Sequence, residues 1–243
     1  MFYLAGIHQL EKTKISMQKV VRLVVPTRQG VTLFLAHDAS TPGYRDGIKQ
    51  QVKLGRSVIT SDGVAEVLSK EGVKVTPLSK YNIHLDLFKE IGMKPVLPEA
   101  VMIGMTADIS DFAVRSVLES NEIPTIDLVV IDPSYLIAKR DSIMTKVKGG
   151  TPVSFAEAIE AVTPTVYTAV ACATKAGRVA VMNEKDFMEV NENIENDAFS
   201  DTGYKEWYFG TMSEKAWSKF IAKPVYYIGQ VFKALYSKET AQA

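Results

Sequence analysis

Polar residues able to hold an anionic group follow a short β-prone run in the first third of the chain. Ser61, Asp62 and Gly63 come directly after residues 57–60 and precede a segment whose apolar residues recur at helical spacing. A strand that enters a helix through such a turn points free backbone amides and the positive end of the helix dipole at one spot. The pattern predicts either an anion site or an ordinary helix cap, in which Ser61 or Asp62 accepts hydrogen bonds from the following amides.

A second position with chemical potential is Asp132, which ends the apolar run IDLVVID. Open parallel sheets bind ligands outside the carboxyl ends of their strands, so a carboxylate at this position is well placed to contact a ligand. Because Pro133 and Ser134 follow, Asp132 is equally suited to initiate a turn. The sequence alone leaves both interpretations open.

The elements that must position these residues alternate between strand and helix. Short apolar runs, polar turns and glycine stops at ordinary connection lengths predict a βαβαβ unit. The predicted order is a strand at 31–36, a polar turn at 37–43, a helix at 44–54 ending at Gly55, a strand at 57–60, a helix stopped by Gly72 and a strand at 73–75.

Four blocks of this sequence, in order, resemble the IMP cyclohydrolase domain, the N-terminal half of the bifunctional purine-biosynthesis enzyme. The blocks are residues 31–81, IDLVVID, VSFAEAIEAV and TKAGRVAVMNEKDF. The resemblance covers roughly residues 31–238. It leaves residues 1–30 as an N-terminal strand extension and residues 239–243 as a tail. It implies an α/β three-layer sandwich of the methylglyoxal-synthase-like type, with a mostly parallel central sheet and a helical C-terminal part, in a homodimer or larger homo-oligomer.

The family's reaction closes the second purine ring, when a carboxamide nitrogen attacks a formyl carbon on an imidazole ribonucleotide and water is lost. The resemblance therefore implies a purine ribonucleotide as ligand, with no cofactor and no metal. It assigns Lys94, Lys175 and Tyr135 to catalysis. It assigns to substrate binding the residues Ser40, Thr41, Gly43, Ser61, Gly63, Asp132 and Thr163.

Several of these positions depart from the family pattern. Thr163, twelve residues before Lys175, stands where the family has its catalytic aspartate, and the turn at 39–43 lacks the family's acid and lysine. Asp62 places a carboxylate where a phosphate favours amides, so an anion is repelled unless this side chain turns away. Two functions stay open. One is a divergent IMP cyclohydrolase that closes the ring or binds a purine nucleotide, and the other is a catalytically inactive homologue with a structural or assembly role.

The lysines also have structural interpretations that need no ligand. Lys94 lies in an apolar, proline-containing stretch that is typical of a surface lysine whose stem covers apolar area. Lys175 is followed by Gly177, and a cation in the last turn of a helix favours the helix dipole.

Composition narrows the classes of partner. Lysine plus arginine and aspartate plus glutamate number 28 each, so no net field favours nucleic acid or an anionic membrane. No apolar run reaches the length of a membrane span, and the first residues lack the pattern of a secretory signal, which predicts a cytoplasmic location. With three histidines and one cysteine, motifs such as His37-Asp38 do not complete a metal-ligand set.

Residues 1–30 are predicted to add strands. The segments 1–7 and 19–25 are strand-like, and the stretch VVPTRQGVTLFL predicts a hairpin around a turn from Thr27 to Gly30. Such a strand pair can extend the sheet, cover an edge or mediate assembly.

Overall fold

The computed structural model describes residues 24–81, 97–151, 153, 173 and 176–199 of the chain. Within these residues the chain forms one sheet and the helices around it. The strands are β1 (Val31–Leu35), β2 (Ser57–Thr60), β3 (Thr76–Pro77), β4 (Ile126–Ile131) and β5 (Val179–Val181). The helices are α1 (Pro42–Lys53), α2 (Asp62–Lys70), α3 (Glu99–Thr106), α4 (Phe112–Ser120), α5 (Ser134–Lys148) and α6 (Glu184–Glu195), with a 3₁₀ turn at Leu78–Tyr81.

The five strands form a parallel sheet in the order β3-β2-β1-β4-β5. The predicted α/β class and parallel central sheet are confirmed, and so is the βαβαβ unit from β1 to β3. The chain builds outward from β1 to β3, then crosses back to place β4 on the other side of β1. The strand order therefore reverses between β1 and β4, and in open α/β sheets ligands bind at such a reversal.

Both faces of the sheet are covered. Every residue of β4 is buried, as expected for a parallel strand enclosed by helices, and α3 packs against this strand. Helices α1 and α6 pack against each other over the face to which Phe34 points. There the ring of Tyr44 stacks between Phe34 and Phe187, with centroid distances of 6.0 and 6.1 Å. Helices on the two faces make the three-layer sandwich.

A chain of buried polar groups crosses the sheet near the amino ends of its strands. The guanidinium of Arg56 forms an ion pair with Asp127 of β4, and its Nε donates to Thr32 Oγ1 of β1 at 3.1 Å. The Thr32 hydroxyl donates to Gln51 Oε1 of α1 at 2.7 Å, and the Gln51 amide donates to Asn191 of α6. All five residues are buried, so each polar group depends on the next for its hydrogen bonds.

Two local predictions were wrong in detail. The turn from Thr27 to Gly30 forms, with Gly30 N donating to Thr27 O at 3.0 Å, but no hairpin follows, because β2 and β4 occupy both edges of β1. Val24 N instead donates to Gly177 O at 2.9 Å.

The strand predicted at 73–75 begins later, at Thr76. Gly72 has a φ of 78° and Val73 N donates to Leu68 O at 3.0 Å, which is the Schellman arrangement that ends a helix. The residues that follow Gly72 therefore first complete the end of α2.

Other predicted elements cannot be compared with the structure. The predicted strands at 1–7 and most of 19–25, and the predicted helical C-terminal part beyond residue 199, lie outside the described residues. In the part of the chain that is described, no helix has the length and apolar character needed to span a bilayer.

We predict that Arg56→Met destabilises the fold by about 3–5 kcal/mol at neutral pH, because it leaves the buried Asp127 carboxylate without its counter-charge. Burial already raises the pKa of Asp127, although Arg56 opposes the shift. Without Arg56 the folded-state pKa rises further above the unfolded value of about 3.9. The loss of unfolding free energy in the variant is therefore complete at pH values above the folded-state pKa of Asp127, and it disappears as the pH falls below about 4. Urea unfolding of the variant and the wild type at pH 7 and at pH 4 measures this loss.

The double variant Arg56→Met with Asp127→Leu removes both charges and is expected to recover most of the lost free energy of unfolding. Lys70→Met, which breaks the exposed Lys70–Glu66 pair, is the matched control and should unfold like the wild type. An Arg56→Met variant as stable as the wild type at pH 7 contradicts the structural role of the pair.

The same substitution at two glycines should have opposite consequences. A Cβ at Gly47 of α1 would overlap the Phe187 ring of α6, whereas a Cβ at Gly63 of α2 meets nothing within 4 Å. We expect Gly47→Ala to lower the free energy of unfolding by about 1–3 kcal/mol through overpacking. Gly63→Ala should leave it within about 0.5 kcal/mol of the wild type or raise it. Equal effects in thermal unfolding would contradict the packing described for α1 and α6.

Candidate functional site

A cleft of about 250 Å³ opens at the carboxyl ends of β1 and β4, at the point where the strand order reverses. The loop after β1 supplies one wall and the start of α5 supplies the other. Its lining residues are His37, Asp38, Ser40, Asp132, Ser134 and Ala138. The position is the one expected for the ligand site of an open parallel sheet.

Both carboxylates in the cleft are fixed by turns of the same kind. Asp38 Oδ1 accepts from Ser40 N at 2.8 Å, and Asp132 Oδ1 accepts from Ser134 N at 2.9 Å. Asp132 N also donates to Leu35 O at 3.0 Å, which continues the pairing of β4 with β1 beyond the strand. The turn interpretation of Asp132 is therefore confirmed. The role of Asp132 in ligand binding stays a prediction. Its second carboxylate oxygen makes no hydrogen bond to the described residues, so this oxygen can accept a hydrogen bond from a ligand.

Hydrogen bonds also stabilise the ionised form of Asp38, the exposed carboxylate of the cleft. The side chain and backbone of Ser40 both donate to Asp38 and lower its pKa below the ordinary value, and the nearby His37 adds to this effect. Asp38 is therefore ionised throughout the physiological range of pH.

The start of α2 differs from the predicted cap. Ser61 Oγ donates to Ala36 O at 3.4 Å, and Asp62 Oδ1 accepts from Ser79 N at 3.1 Å, so neither side chain caps the helix. Hydrogen bonds to Ala36 and Ser79, which are distant in sequence, thus replace the capping bonds that these two side chains were predicted to make. Among the residues that the structure describes, no hydrogen bond joins a side chain to the amides of the first turn of α2, and a Cβ at Gly63 would meet nothing within 4 Å.

The orientation of Asp62 resolves a conflict in the sequence pattern. Ser79 follows β3, which pairs with β2 on the side away from β1. By bonding to Ser79, the Asp62 carboxylate turns away from the cleft side of α2. Ser61, in contrast, touches Ala36, the neighbour of His37 in the cleft wall, so the start of α2 adjoins the cleft.

The first turn of α1 faces α6. A Cβ at Gly43 would overlap the Glu184 side chain, so the glycine permits this close approach. Thr41 is the N-cap residue of α1 but makes no capping bond through its side chain. The Glu184 carboxylate occupies the position where α1 would otherwise attract an anion.

The predicted site residues fall into three groups. Ser40 and Asp132 line the cleft, Ser61 and Gly63 lie beside it at β2, and Thr41 and Gly43 lie at the start of α1 near α6. Lys94, Lys175 and Thr163 are outside the described residues, and of Tyr135 only the backbone, the second residue of α5, is described. The six described residues thus follow the carboxyl ends of β1, β2 and β4, while their roles in binding and the catalytic roles stay predictions.

The sequence prediction missed three polar lining residues, His37, Asp38 and Ser134, and the apolar Ala138. The signal for the polar residues was present, since His37 and Asp38 follow a strand and Ser134 follows an Asp-Pro turn. Among the described residues, no group of three or more histidine, cysteine or acidic side chains is placed to hold a metal ion.

No family model and no curated protein matches this chain. The crystal structure of ForH is similar to it, with 13% sequence identity and a TM-score of 0.44 over 86% of this chain and 97% of that chain. This likeness is too distant to indicate a function.

Replacement of Ser40 should change the titration of its neighbour. We predict that Ser40→Ala moves the pKa of Asp38 up toward its ordinary value, because the side-chain hydrogen bond is the largest cause of the lowered pKa. The lowered pKa contributes stability above the unfolded pKa of about 3.9 that is lost as pH falls through the folded pKa, and the variant should lose part of it. Carboxyl carbon NMR measures the titration. Ser110→Ala, beside Asp108 in a similar turn, is the control and should leave Asp38 unchanged.

Proposed function

We propose that this chain is a divergent IMP cyclohydrolase-like protein that binds a purine ribonucleotide in the cleft between β1 and β4. The observation that carries the proposal is the position of this cleft at the reversal of strand order, beside the start of α2, whose N-cap residue Ser61 makes no capping hydrogen bond. Two of the four sequence blocks that resemble the cyclohydrolase domain, residues 31–81 and IDLVVID, contribute lining residues to the cleft.

The phosphate of the nucleotide would lie against the first turn of α2. Amide N–H groups and the helix dipole favour an anion there, and the absence of a Cβ at Gly63 lets an oxygen approach the backbone closely. Asp62 does not oppose this placement from the cleft side, because its carboxylate bonds to Ser79.

The nucleoside would extend from α2 into the cleft. Asp132 has a free carboxylate oxygen to accept from ribose hydroxyl groups, and Ser40 and Ser134 offer hydroxyl groups for further hydrogen bonds. A cleft of about 250 Å³ has room for a nucleoside only if the phosphate lies outside it.

Ring closure needs an oriented substrate, a donor for the developing oxyanion and a proton for the departing hydroxyl. Lys94 and Lys175 are proposed to supply the charge and the proton, and Tyr135 or Thr163 a hydrogen bond to the carboxamide. Because Thr163 stands where the family has an aspartate, the rate should be lower by about 100- to 10,000-fold than with that group present.

An inactive protein with an assembly role is the second candidate, and one observation favours it. Helix α4 exposes Phe112 at 81%, which makes it the most exposed of the large apolar side chains that the structure describes. We propose that Phe112, at the start of α4, contacts a second copy in a homodimer. A cytoplasmic location also remains part of the proposal.

Titration calorimetry with IMP and with inosine, which lacks the phosphate, tests the binding proposal. IMP is expected to bind more tightly than inosine, and Gly63→Ala should weaken IMP by about tenfold while leaving inosine and the fold unaffected. Ser69→Ala, at the other end of α2, is the control. If Gly63→Ala and the wild type bind IMP with equal affinity, the first turn of α2 does not bind the phosphate.

Ring closure is tested separately by the ultraviolet absorbance of the purine formed from the formylated imidazole carboxamide ribonucleotide. Turnover that is lost in Lys175→Met supports the enzyme. If the protein binds IMP but shows no turnover, it is a nucleotide-binding protein without this activity. If it shows neither turnover nor IMP binding, the result favours the assembly role. In that case sedimentation velocity should show a dimer that Phe112→Ser dissociates.

A further inference from the structure

The hydroxyl group of Thr60, the last residue of β2, is buried and has no partner among the described residues. Thr60 is 0% exposed, and its Oγ1 makes no hydrogen bond in the part of the chain that the structure describes. Leaving a buried hydroxyl group unpaired costs free energy, and such groups in native proteins ordinarily have a hydrogen-bond partner. The hydroxyl group of Thr60 therefore indicates a partner that the described residues do not supply.

The strand register places this hydroxyl group beneath helices α1 and α2. Thr60 pairs with Phe34 of β1, and paired residues of neighbouring strands point to the same face of a sheet. Phe34 points to the face that α1 covers, because its ring stacks on Tyr44 of that helix. Strands β1, β2 and β3 follow one another in one direction across the sheet. Since crossovers between parallel strands are right-handed, α2 lies on the same face as α1.

The free amide donors of α2 come directly after Thr60. Helix α2 has nine residues, and its N-cap residue Ser61 makes no capping hydrogen bond through its side chain. The first amide with a backbone acceptor is that of Ala65, which donates to Ser61 O at 2.8 Å. The amides of residues 62–64 make no hydrogen bond to the described residues. These amides and the unpaired hydroxyl group can each donate to an oxygen of an anion.

We propose that the Thr60 hydroxyl group binds and positions the phosphate group at the start of α2. This inference rests on the proposed function, in which the first turn of α2 holds the phosphate of a nucleotide, and it adds a further residue to that site. A hydroxyl group that donates to a charged phosphate oxygen forms a stronger hydrogen bond than one that donates to a neutral acceptor. The bond also satisfies the polar group that the end of β2 leaves unpaired.

The phosphate reaches this hydroxyl group when the turn between β2 and α2 opens, because Thr60 is shielded from solvent. The turn has room to move outward, since Asp62 and Gly63 are exposed and a Cβ at Gly63 would meet nothing within 4 Å. The hydrogen bond from Ser61 Oγ to Ala36 O is long, at 3.4 Å, and therefore weak. Opening exchanges this weak hydrogen bond for a strong one between Thr60 and the phosphate.

Two substitutions of Thr60 separate phosphate binding from packing. Thr60→Val keeps the shape of the side chain but removes the hydroxyl group, and we expect it to weaken the binding of inorganic phosphate and of IMP by about tenfold in titration calorimetry. The same variant should raise the midpoint of thermal unfolding by about 2–4 °C, because it removes an unpaired buried group. Thr60→Ser keeps the hydroxyl group but loses a methyl group. It should lower this midpoint and leave both affinities within about twofold of the wild type.

Thr106→Val is the control, because Thr106 is exposed on α3, a helix whose Gly104 lies against Pro124 near the amino end of β4. This variant should bind phosphate and IMP like the wild type. Equal phosphate affinity in Thr60→Val and the wild type contradicts the proposal. So does an equal loss of affinity in Thr60→Val and Thr60→Ser, since packing rather than the hydroxyl group then causes the loss. A Thr60→Val variant less stable than the wild type shows that the hydroxyl group has a partner within the protein, which also contradicts the proposal.

The comparison of phosphate with IMP keeps this inference separate from the nucleotide proposal. If Thr60→Val weakens phosphate binding and IMP binds no more tightly than phosphate, the role of Thr60 is supported and the nucleotide proposal is wrong. If IMP binds to Thr60→Val and to the wild type with equal affinity, the nucleotide proposal is supported and the role of Thr60 is wrong. If the wild type binds neither phosphate nor IMP, both proposals are wrong.

Discussion

The buried polar chain from Asp127 through Arg56, Thr32 and Gln51 to Asn191 constrains the rest of the structure. It links β4, the residue that precedes β2, β1, α1 and α6, and each member is shielded from water. A shift of one residue in any strand would leave a buried charge or amide unpaired, which costs more than most packing changes. The chain therefore fixes the strand register and the seating of both helices.

The location of this constraint leaves the other end of the sheet free for binding. Thr32 and Asp127 lie near the amino ends of β1 and β4, whereas the cleft lies at the carboxyl ends. Between the two ends the sheet is filled by apolar residues such as Leu33 and Val129. The polar groups that line the cleft, such as Asp132, are therefore available to a ligand, because the stability of the sheet is supplied elsewhere.

Local patterns predicted most of the framework. The spacing of apolar residues and the glycine stops gave β1, α1, β2 and α2 to within a few residues, because these signals act over one or two turns. The rule that parallel sheets bind at their carboxyl ends also brought Ser40 and Asp132 to the cleft. Local patterns could not predict the side-chain hydrogen bonds at the start of α2. Ser61 bonds to Ala36 and Asp62 bonds to Ser79, and both partners are distant in sequence.

The sequence by itself determined the α/β class, the parallel unit from β1 to β3 and the turns that carry polar side chains, since each depends on short-range periodicity and backbone preference. Only the tertiary structure decided the crossing that places β4 beside β1, and with it the cleft. It also decided that Glu184 of α6 lies against Gly43 and that the ring of Tyr44 stacks between Phe34 and Phe187. Contacts between residues more than a hundred positions apart depend on how whole elements pack, which no local pattern encodes.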